Sequence, residues 1–170
     1  MSQISGYDYG NPFKTYQTTT SATTTGNVNT NVLGSVLIPG GVFFNGDVVR
    51  CNAFFDRVGT GVLTLSLYWN TVPNITGGSP TLFAIFTGSS SSNTCMVLER
   101  NLFISATTGS NKTICGSTIT TLTNDFYASS TVATSSVTID WTIDGYVICT
   151  AKSATSSDTL NFRWAKVSRN

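Results

Sequence analysis

The chain has no histidine and very little charge. Its 170 residues include only 9 Lys+Arg and 8 Asp+Glu, so 10% of them are charged, whereas an average soluble domain is about a quarter charged. Without histidine, neither a Ser-His-Asp nor a Cys-His catalytic arrangement can form, and a zinc site loses one of its two usual ligand types. These absences predict a protein that is not an enzyme and that uses no metal or other cofactor.

Further absences limit the classes of partner that the protein is expected to bind. The net charge is +1 and no cluster of Lys and Arg is present, so we expect no binding to nucleic acid. No apolar run approaches the roughly 18 residues of a membrane span, which predicts no membrane insertion. The start, MSQISGYDYG, lacks the basic and apolar segments of a signal peptide. The sequence therefore predicts a product that is made and assembled in a cytoplasm.

The few acidic side chains are scattered. Glycoside hydrolysis needs two facing carboxylates, and calcium takes six to eight oxygen ligands; Asp140 and Asp144 are the nearest pair, without a DxDxDG run around them. We expect the acids to solvate turns and strand edges, with Asp47 and Asp56 in turns. Five charged residues are candidates for pairs between subunits: Arg50, Arg57, Glu99, Arg100 and Arg163.

The four cysteines lie in stretches that have the pattern of strands, namely Cys51, Cys95, Cys115 and Cys149. No CxxC pair is present. Free cysteine behaves as a small buried hydrophobe, so we expect buried thiols in a reducing compartment. Two disulfides remain the alternative if the protein is released into oxidising surroundings.

From residue 32 onwards the apolar pattern has a period of two, as in half-buried strands. In DVVRCNAFFDR, Val49, Cys51, Ala53 and Phe55 share one face, and GVLTLSLYWN follows after a Gly59-Thr60-Gly61 turn. Other candidate strands are 32–38, 81–87, 94–105, 112–120, 136–142, 146–152 and 159–167; residues 123–132 are the one place for a helical turn. Short strands separated by turn signals predict an all-β fold, an antiparallel β-sandwich, jelly-roll-like, of about eight or nine strands.

Aromatic residues fall into two groups. Trp69, Trp141 and Trp164 each stand in a strand alternation, so we expect all three in the core. Four other apolar residues lie opposite the inward sets of their strands and predict contacts between subunits, namely Phe54, Phe83, Ile85 and Phe103.

Residues 1–31 break the period of two. Tyr7, Tyr9, Phe13 and Tyr16 precede a Thr-rich tract that has almost nothing to bury. The sequence thus predicts two parts, an extended N-terminal arm over 1–31, made of an aromatic anchor and a spacer, and a β-sandwich over 32–170. If the arm is ordered, we expect something outside its own domain to order it; the alternative is a loose tail.

Several segments between residues 32 and 168 resemble virion proteins of tailed bacteriophages. These are VLIPGGVFFNGDVVRCNAFFDRVGTGVLTLSLYWNT, MVLERNLFISATTG and SSVTIDWTIDGYVICTAKSATSSDTLNFRWAKV. Within them stand Ile38-Pro39, Gly46-Asp47 and Asn70-Thr71, and Ile139-Asp140-Trp141-Thr142 with Asp144 and Tyr146. The resemblance implies a head-fibre or capsid-decorating structural protein, commonly a homotrimer. It would sit on the virion surface, bound to a major capsid, portal or tail protein.

The alternative is a tail-fibre or glycan-binding adhesion module that contacts the host surface. Aromatic rings beside amides are typical of sugar recognition. The first candidates for such a contact are Tyr68, Trp69 and Asn70, together with the loop over 71–80.

Overall fold

A computed structural model describes residues 15–25, 30–87, 95–105, 113–116 and 134–169. The described residues form strands and connections without a helix, which confirms the all-β prediction. The strands are β1 (Thr15–Thr18), β2 (Ala22–Thr25), β3 (Asn31–Ile38), β4 (Val48–Val58), β5 (Leu63–Asn70), β6 (Thr81–Thr87), β7 (Cys95–Ile104), β8 (Thr113–Gly116), β9 (Thr134–Val137), β10 (Gly145–Ser153) and β11 (Thr159–Arg169).

The strands form two antiparallel sheets. Sheet A has the order β1-β11-β4-β7-β8-β9, with β2 also paired to β11, and sheet B has the order β3-β10-β5-β6. The chain crosses from one sheet to the other between β3 and β4 and again between β4 and β5. The last two strands return to lie beside early ones, β10 between β3 and β5 and β11 next to β4. These crossings give the sandwich its jelly-roll-like topology.

The core lies between the sheets and follows the predicted alternation. On β4 the inward residues Val49, Cys51, Ala53 and Phe55 are all buried. The facing strand β5 contributes Leu63, Leu65, Leu67 and Trp69, which are also buried. Each such side chain contributes about 1.5–3 kcal/mol when it leaves water, so the period-two pattern itself selects which face of each strand turns inward.

Aromatic rings fill one end of the core. Trp69 and Trp141 lie with ring centroids 4.8 Å apart, and Trp141 meets Phe43 edge-on at 5.5 Å. Tyr16 of β1 in turn meets Phe43 edge-on at 6.0 Å. Gly145 begins β10 directly against the Trp69 ring, where a Cβ atom would collide with the indole. The core prediction is therefore confirmed for Trp69 and Trp141.

The strand predicted over 136–142 ends earlier. β9 stops at Val137, because Asp140 accepts hydrogen bonds from the backbone N–H and the hydroxyl of Thr142 at 2.9 and 2.6 Å and so closes a turn. Trp141 consequently enters the core from a loop, and its indole N–H donates to the Thr113 hydroxyl at 3.0 Å. The possible helical turn at 123–132 lies outside the described residues.

The N-terminal segment contributes two strands to the sandwich. β1 and β2 pair one after the other along β11, in the registers Thr18↔Ala165 and Ala22↔Phe162. The expectation that something outside the domain orders the arm is wrong for these residues, because strand ladders of their own chain hold them. Residues 1–14 lie outside the described residues.

Candidate functional surface

A β-bulge in β11 places the consecutive side chains of Arg163 and Trp164 on the outer face of sheet A. Phe162 pairs with Phe55 and Trp164 pairs with Phe54, so the register shifts at Arg163. A bulge adds a residue to one strand and redirects side chains. Phe162 is buried, whereas Arg163 is exposed and Trp164 partly exposed. The prediction that Trp164 lies in the core is therefore wrong, since Trp164 lies with Phe54 on the outer face.

Phe54, Trp164 and Val97 form an aromatic patch on the outer face of sheet A. The rings of Phe54 and Trp164 lie nearly parallel, 10° apart with centroids separated by 6.3 Å. Val97 of β7 pairs with Phe54, and its side chain is 43% exposed. Phe54 and Phe103 thus face outward on sheet A as predicted. Phe83 does not face outward, because it is buried in the core.

A network of polar side chains borders the aromatic patch. Asp56 accepts hydrogen bonds from Nε and Nη2 of Arg163, the latter at 3.1 Å, and from the Asn161 amide at 2.7 Å. The hydroxyl of Thr23 on β2 donates to Asn161 at 2.8 Å. The Arg163 hydrogen bond lowers the pKa of Asp56, and partial burial opposes it. Asp56 therefore lies inside β4 in a charge pair, and the prediction of a turn role is wrong.

A second polar row crosses the same face. Asn52 of β4 pairs with Lys166 on one side and Glu99 on the other, and Glu99 lies 3.5 Å from Arg50. The Oδ1 atom of Asn52 is buried and accepts no hydrogen bond. Buried acceptors are rarely left unpaired in native structures, so Asn52 is an exception among the buried polar groups of this face.

The edge strand is interrupted beside the bulge. Between β1 and β2, residues 19–21 are exposed and make no ladder with β11. A shallow depression of about 340 Å³ opens there, lined by Gln17, Thr19, Arg163, Trp164, Ala165 and Lys166. The edge of sheet A next to Trp164 is therefore concave.

The three residues predicted for a glycan contact do not form a common surface. Trp69 is 4% exposed and packs in the core. Asn70 is 1% exposed, and its amide donates to the carbonyls of Asn74 and Gly77, both at 2.7 Å. Asn70 thus fixes the loop over 71–80. Tyr68 alone of the three is partly exposed, on the outer face of sheet B.

Of the four predicted anchor residues, Tyr16 alone lies within the described residues. Tyr7, Tyr9 and Phe13 lie outside the described residues. Tyr16 is partly buried, and its ring contacts Phe43 at the end of the core. Its ring therefore contacts its own sandwich.

Asp158 is a structural residue that the sequence analysis did not single out. It is 1% exposed and accepts hydrogen bonds from the backbone N–H groups of Thr60 and Gly61 at 3.1 and 2.9 Å and from the Ser153 hydroxyl at 2.6 Å. Burial raises the pKa of Asp158, but these hydrogen bonds and the charge of Arg57 outweigh it, so the pKa lies below the usual 3.8. Asp158 thereby locks the predicted Gly59-Thr60-Gly61 turn.

Four further charged residues, Asp47, Asp144, Arg57 and Arg100, have partners within the chain. Asp47 accepts from the backbone N–H of Phe44 at 2.9 Å and lies 2.8 Å from Arg169, which confirms its turn role. Asp144 accepts from the N–H of Gly40 at 2.8 Å. Arg57 donates to the carbonyl of Gly61 and Arg100 to that of Phe83, and both arginines are buried. The prediction of intersubunit pairs is therefore wrong for Arg57 and Arg100.

Cys51, Cys95 and Cys149 are free thiols in two environments. Cys51 and Cys149 are buried, as predicted, and burial raises the pKa of Cys149 to about 12. Cys95 is exposed at the start of β7, so the prediction of a buried thiol is wrong there. No group of three or more metal-ligating side chains occurs within the described ranges. Over the same part of the chain, no helix is long and apolar enough to cross a membrane.

Comparison with known proteins adds little to this description. No family model and no curated protein matches the chain. Among solved structures, a winged bean acidic lectin in complex with methyl-α-D-galactose is similar, with 11% identity, a TM-score of 0.35, and coverage of 92% of this chain and 98% of the lectin chain. A likeness at that TM-score carries no argument. The class of the protein, an antiparallel β-sandwich, is defined by its own strands and sheets.

Proposed function

We propose that the protein is a non-catalytic structural component of a bacteriophage virion, a head-fibre or capsid-decorating protein that projects its β-sandwich from the particle. The observation that carries the proposal is the use of its acidic side chains. Asp47, Asp56, Asp140, Asp144 and Asp158 all accept hydrogen bonds that hold turns or strands together. Carboxylates used in this way stabilise the folded sandwich. The resemblance of the sequence to tailed-phage virion proteins supports a location on the virion.

Attachment to the particle is assigned to the residues ahead of β1. Tyr7, Tyr9 and Phe13 precede the first described strand, whereas Tyr16 is used in the sandwich. Aromatic side chains are enriched in protein interfaces. The partner is another virion protein, such as the major capsid, portal or tail protein.

Labelling of purified particles tests the location. Antibodies against the sandwich, visualised by immunogold electron microscopy, are expected to decorate virions at regular positions. Particles that carry no label, from a host in which the protein is expressed, contradict the proposal.

A truncation tests the anchor separately. Removal of residues 1–14 keeps every described strand, so the sandwich should fold and give an unchanged circular dichroism spectrum. The truncated protein is expected to lose its binding to particles that lack the natural protein. If it binds them as well as the full chain does, attachment lies on the sandwich.

A further inference from the structure

We propose that one end of the sandwich, formed by the loops over 39–47 and 138–144, is a second docking surface for the virion protein that binds the N-terminal arm. The matching surface of that protein has an apolar pocket for Phe44 and Ile143, with lysine or arginine side chains around it. The inference rests on the proposed function, because it describes how the same partner is held. We call this end of the sandwich the arm-side end.

Phe44 is the one aromatic residue in the described part of the chain that is exposed to solvent. It is 52% exposed, whereas every other aromatic residue in the described ranges is buried or only partly exposed. Its neighbour Phe43 is buried in the core. Aromatic side chains are enriched at the centre of protein interfaces and supply much of their binding energy. Phe44 is therefore the side chain with which this end can contribute most to binding.

Hydrogen bonds fix the backbone that carries Phe44. The N–H of Phe44 donates to Oδ2 of Asp47 at 2.9 Å, and the N–H of Asp47 donates to the carbonyl of Phe44 at 3.0 Å. Asp47 also lies 2.8 Å from Arg169, and the N–H of Gly46 donates to the carbonyl of Ile104 at 2.8 Å. A segment that is already ordered loses little conformational entropy on binding, so this loop presents Phe44 from a rigid support.

The loop over 138–144 presents a second apolar side chain at the same end. The N–H of Gly41 donates to the carbonyl of Trp141 at 2.8 Å, so the two loops lie against each other. Ile143, two residues beyond Trp141, is 45% exposed. The arm-side end thus offers two apolar side chains, Phe44 and Ile143, from two loops that support each other.

The N-terminal arm joins the sandwich at this same end. Thr15 begins β1, and the next residue, Tyr16, lies edge-on to Phe43 with the ring centroids 6.0 Å apart. Residues 1–14 therefore join the sandwich beside the loop over 39–47, and residue 1 lies at most about 50 Å from Thr15. A partner that binds the arm is consequently held close to the arm-side end.

The small area of this end explains why it would act together with the arm. A stable protein interface buries about 800 Å² on each partner, which is more than two side chains supply. When a flexible segment links two contacts, the second contact forms within the same complex, and the overall affinity exceeds that of either contact. The partner already bound to the arm is therefore the occupant that this surface fits.

The charges of the two loops favour a basic protein partner. The loops contain Asp47, Asp140 and Asp144 and no lysine or arginine. Asp47 is paired with Arg169, whereas Asp140 and Asp144 accept hydrogen bonds from uncharged groups. Two copies of the chain placed end to end would bring like charges together, which opposes association. An anionic membrane surface would be repelled for the same reason, so basic side chains around an apolar pocket are the complement.

Matched serine variants of the full chain test the surface. Phe44→Ser and Ile143→Ser remove apolar side chains at the arm-side end, and Val58→Ser removes a 56% exposed side chain at the opposite end of β4. Co-sedimentation measures their binding to purified particles that lack the natural protein. We expect Phe44→Ser to weaken binding by at least about tenfold, Ile143→Ser to weaken it less, and Val58→Ser to leave it unchanged. Near-ultraviolet circular dichroism checks that each variant keeps the native core.

A charge variant tests the chemistry of the partner. Asp144→Asn keeps a side-chain oxygen that can accept from Gly40 but removes the charge. At low ionic strength it is expected to weaken binding by about two- to fivefold, and at high ionic strength the difference should disappear, because salt screens the charges. Glu99→Gln, on sheet A away from the loops, is the control and should bind as the natural chain does. Equal affinity of Asp144→Asn and the natural chain at low ionic strength overturns the basic partner.

Photocrosslinking identifies the occupant. A benzophenone amino acid in place of Phe44 is expected to crosslink to one virion protein on particles, and the same amino acid in place of Val58 should not. A crosslink from position 44 to a second copy of the chain, to lipid or to a glycan overturns the proposal.

The natural chain separates failure of this inference from failure of the proposed function. If the natural chain, Phe44→Ser and Ile143→Ser bind particles equally well, the docking surface alone is refuted. If the natural chain does not bind particles, the location on the virion and the docking surface are refuted together.

Discussion

Asp158 shows how a single buried side chain can decide a local conformation. The turn at Gly59-Thr60-Gly61 is evident from its glycines. Gly59 has a φ of 130°, a backbone conformation that residues other than glycine rarely adopt. The group that fixes the turn lies 97 residues away along the chain from Gly61. Sequence spacing does not reveal this contact, because it depends on the pairing of β4 with β11, two strands that lie far apart in the chain.

The lowered pKa of Asp158 predicts a dependence of stability on pH. Below the usual value of 3.8 the unfolded carboxyl takes up a proton more readily than the folded one, so this contribution is complete above pH 3.8 and is lost as the pH falls through the folded pKa. Asp158→Asn is expected to lower the free energy of unfolding at pH 7 by about 2 kcal/mol or more, since the two N–H donors of the turn lose an ionised acceptor.

Urea unfolding between pH 2 and pH 7 measures this effect. The Asn variant should lose less stability than the natural protein over the acidic part of that range. Ser153→Ala, which removes one of the three donors, should give an intermediate result. An acid dependence that is the same in Asp158→Asn and in the natural protein contradicts the assignment.

Close packing at Gly145 leads to a second prediction at this scale. A Cβ atom there would collide with the Trp69 ring, and an overpacked core typically loses about 1–3 kcal/mol. Gly145→Ala should therefore lower the midpoint of urea unfolding. Gly77→Ala is the comparison, because its added Cβ atom would lie 3.3 Å from Oδ1 of Asn74, a tight contact that a small shift of that side chain relieves, and this variant should lose less stability than Gly145→Ala. Equal midpoints for the two variants would show that the ring can move aside.

At the scale of the strands, the sequence predicts the elements well where one face is buried. The alternation in β4, β5, β6, β10 and β11 corresponds to strands within one or two residues of the predicted bounds. The strand prediction failed at Trp141, which lies in the core but in a loop, and the burial prediction failed at Trp164. In both places the chain departs from the period of two, at the turn that begins with Asp140 and at the bulge at Arg163. The periodicity therefore gives a wrong prediction for the next residue, namely a strand position for Trp141 and an inward side chain for Trp164.

The contribution of β1 to the sandwich can be measured. Tyr16→Ala removes the contact with Phe43, and because Tyr16 is only partly buried we expect a loss of about 1–3 kcal/mol, less than for a fully buried ring. Gln17→Ala, the adjacent exposed position on β1, should leave the free energy of unfolding nearly unchanged. A negligible effect of Tyr16→Ala on thermal or urea unfolding would leave Tyr16 available for the anchor predicted from the sequence.

At the scale of the whole molecule, the two sheets are expected to unfold together. They share one core, and Arg100 of sheet A donates to the carbonyl of Phe83 on sheet B at 3.2 Å. Far-ultraviolet circular dichroism reports all the strands, whereas Trp69 and Trp141 report the space between the sheets. The two signals should give coincident urea transitions, as in a two-state domain. Separate midpoints would show that one sheet persists alone.

The sequence by itself determined the all-β class, the positions of most strands and the inward face of β4 and β5, because burial of alternate side chains is a local pattern. The low fraction of charged residues and the lack of histidine are also evident from the sequence, and they limit the catalytic groups that the protein can offer. Only the tertiary structure decided the remaining features. It placed Asn70 inside, paired β1 and β2 with β11, and brought Phe54, Trp164 and Val97 together. These features depend on strand order, register and one bulge, which are set by contacts between residues far apart in the chain.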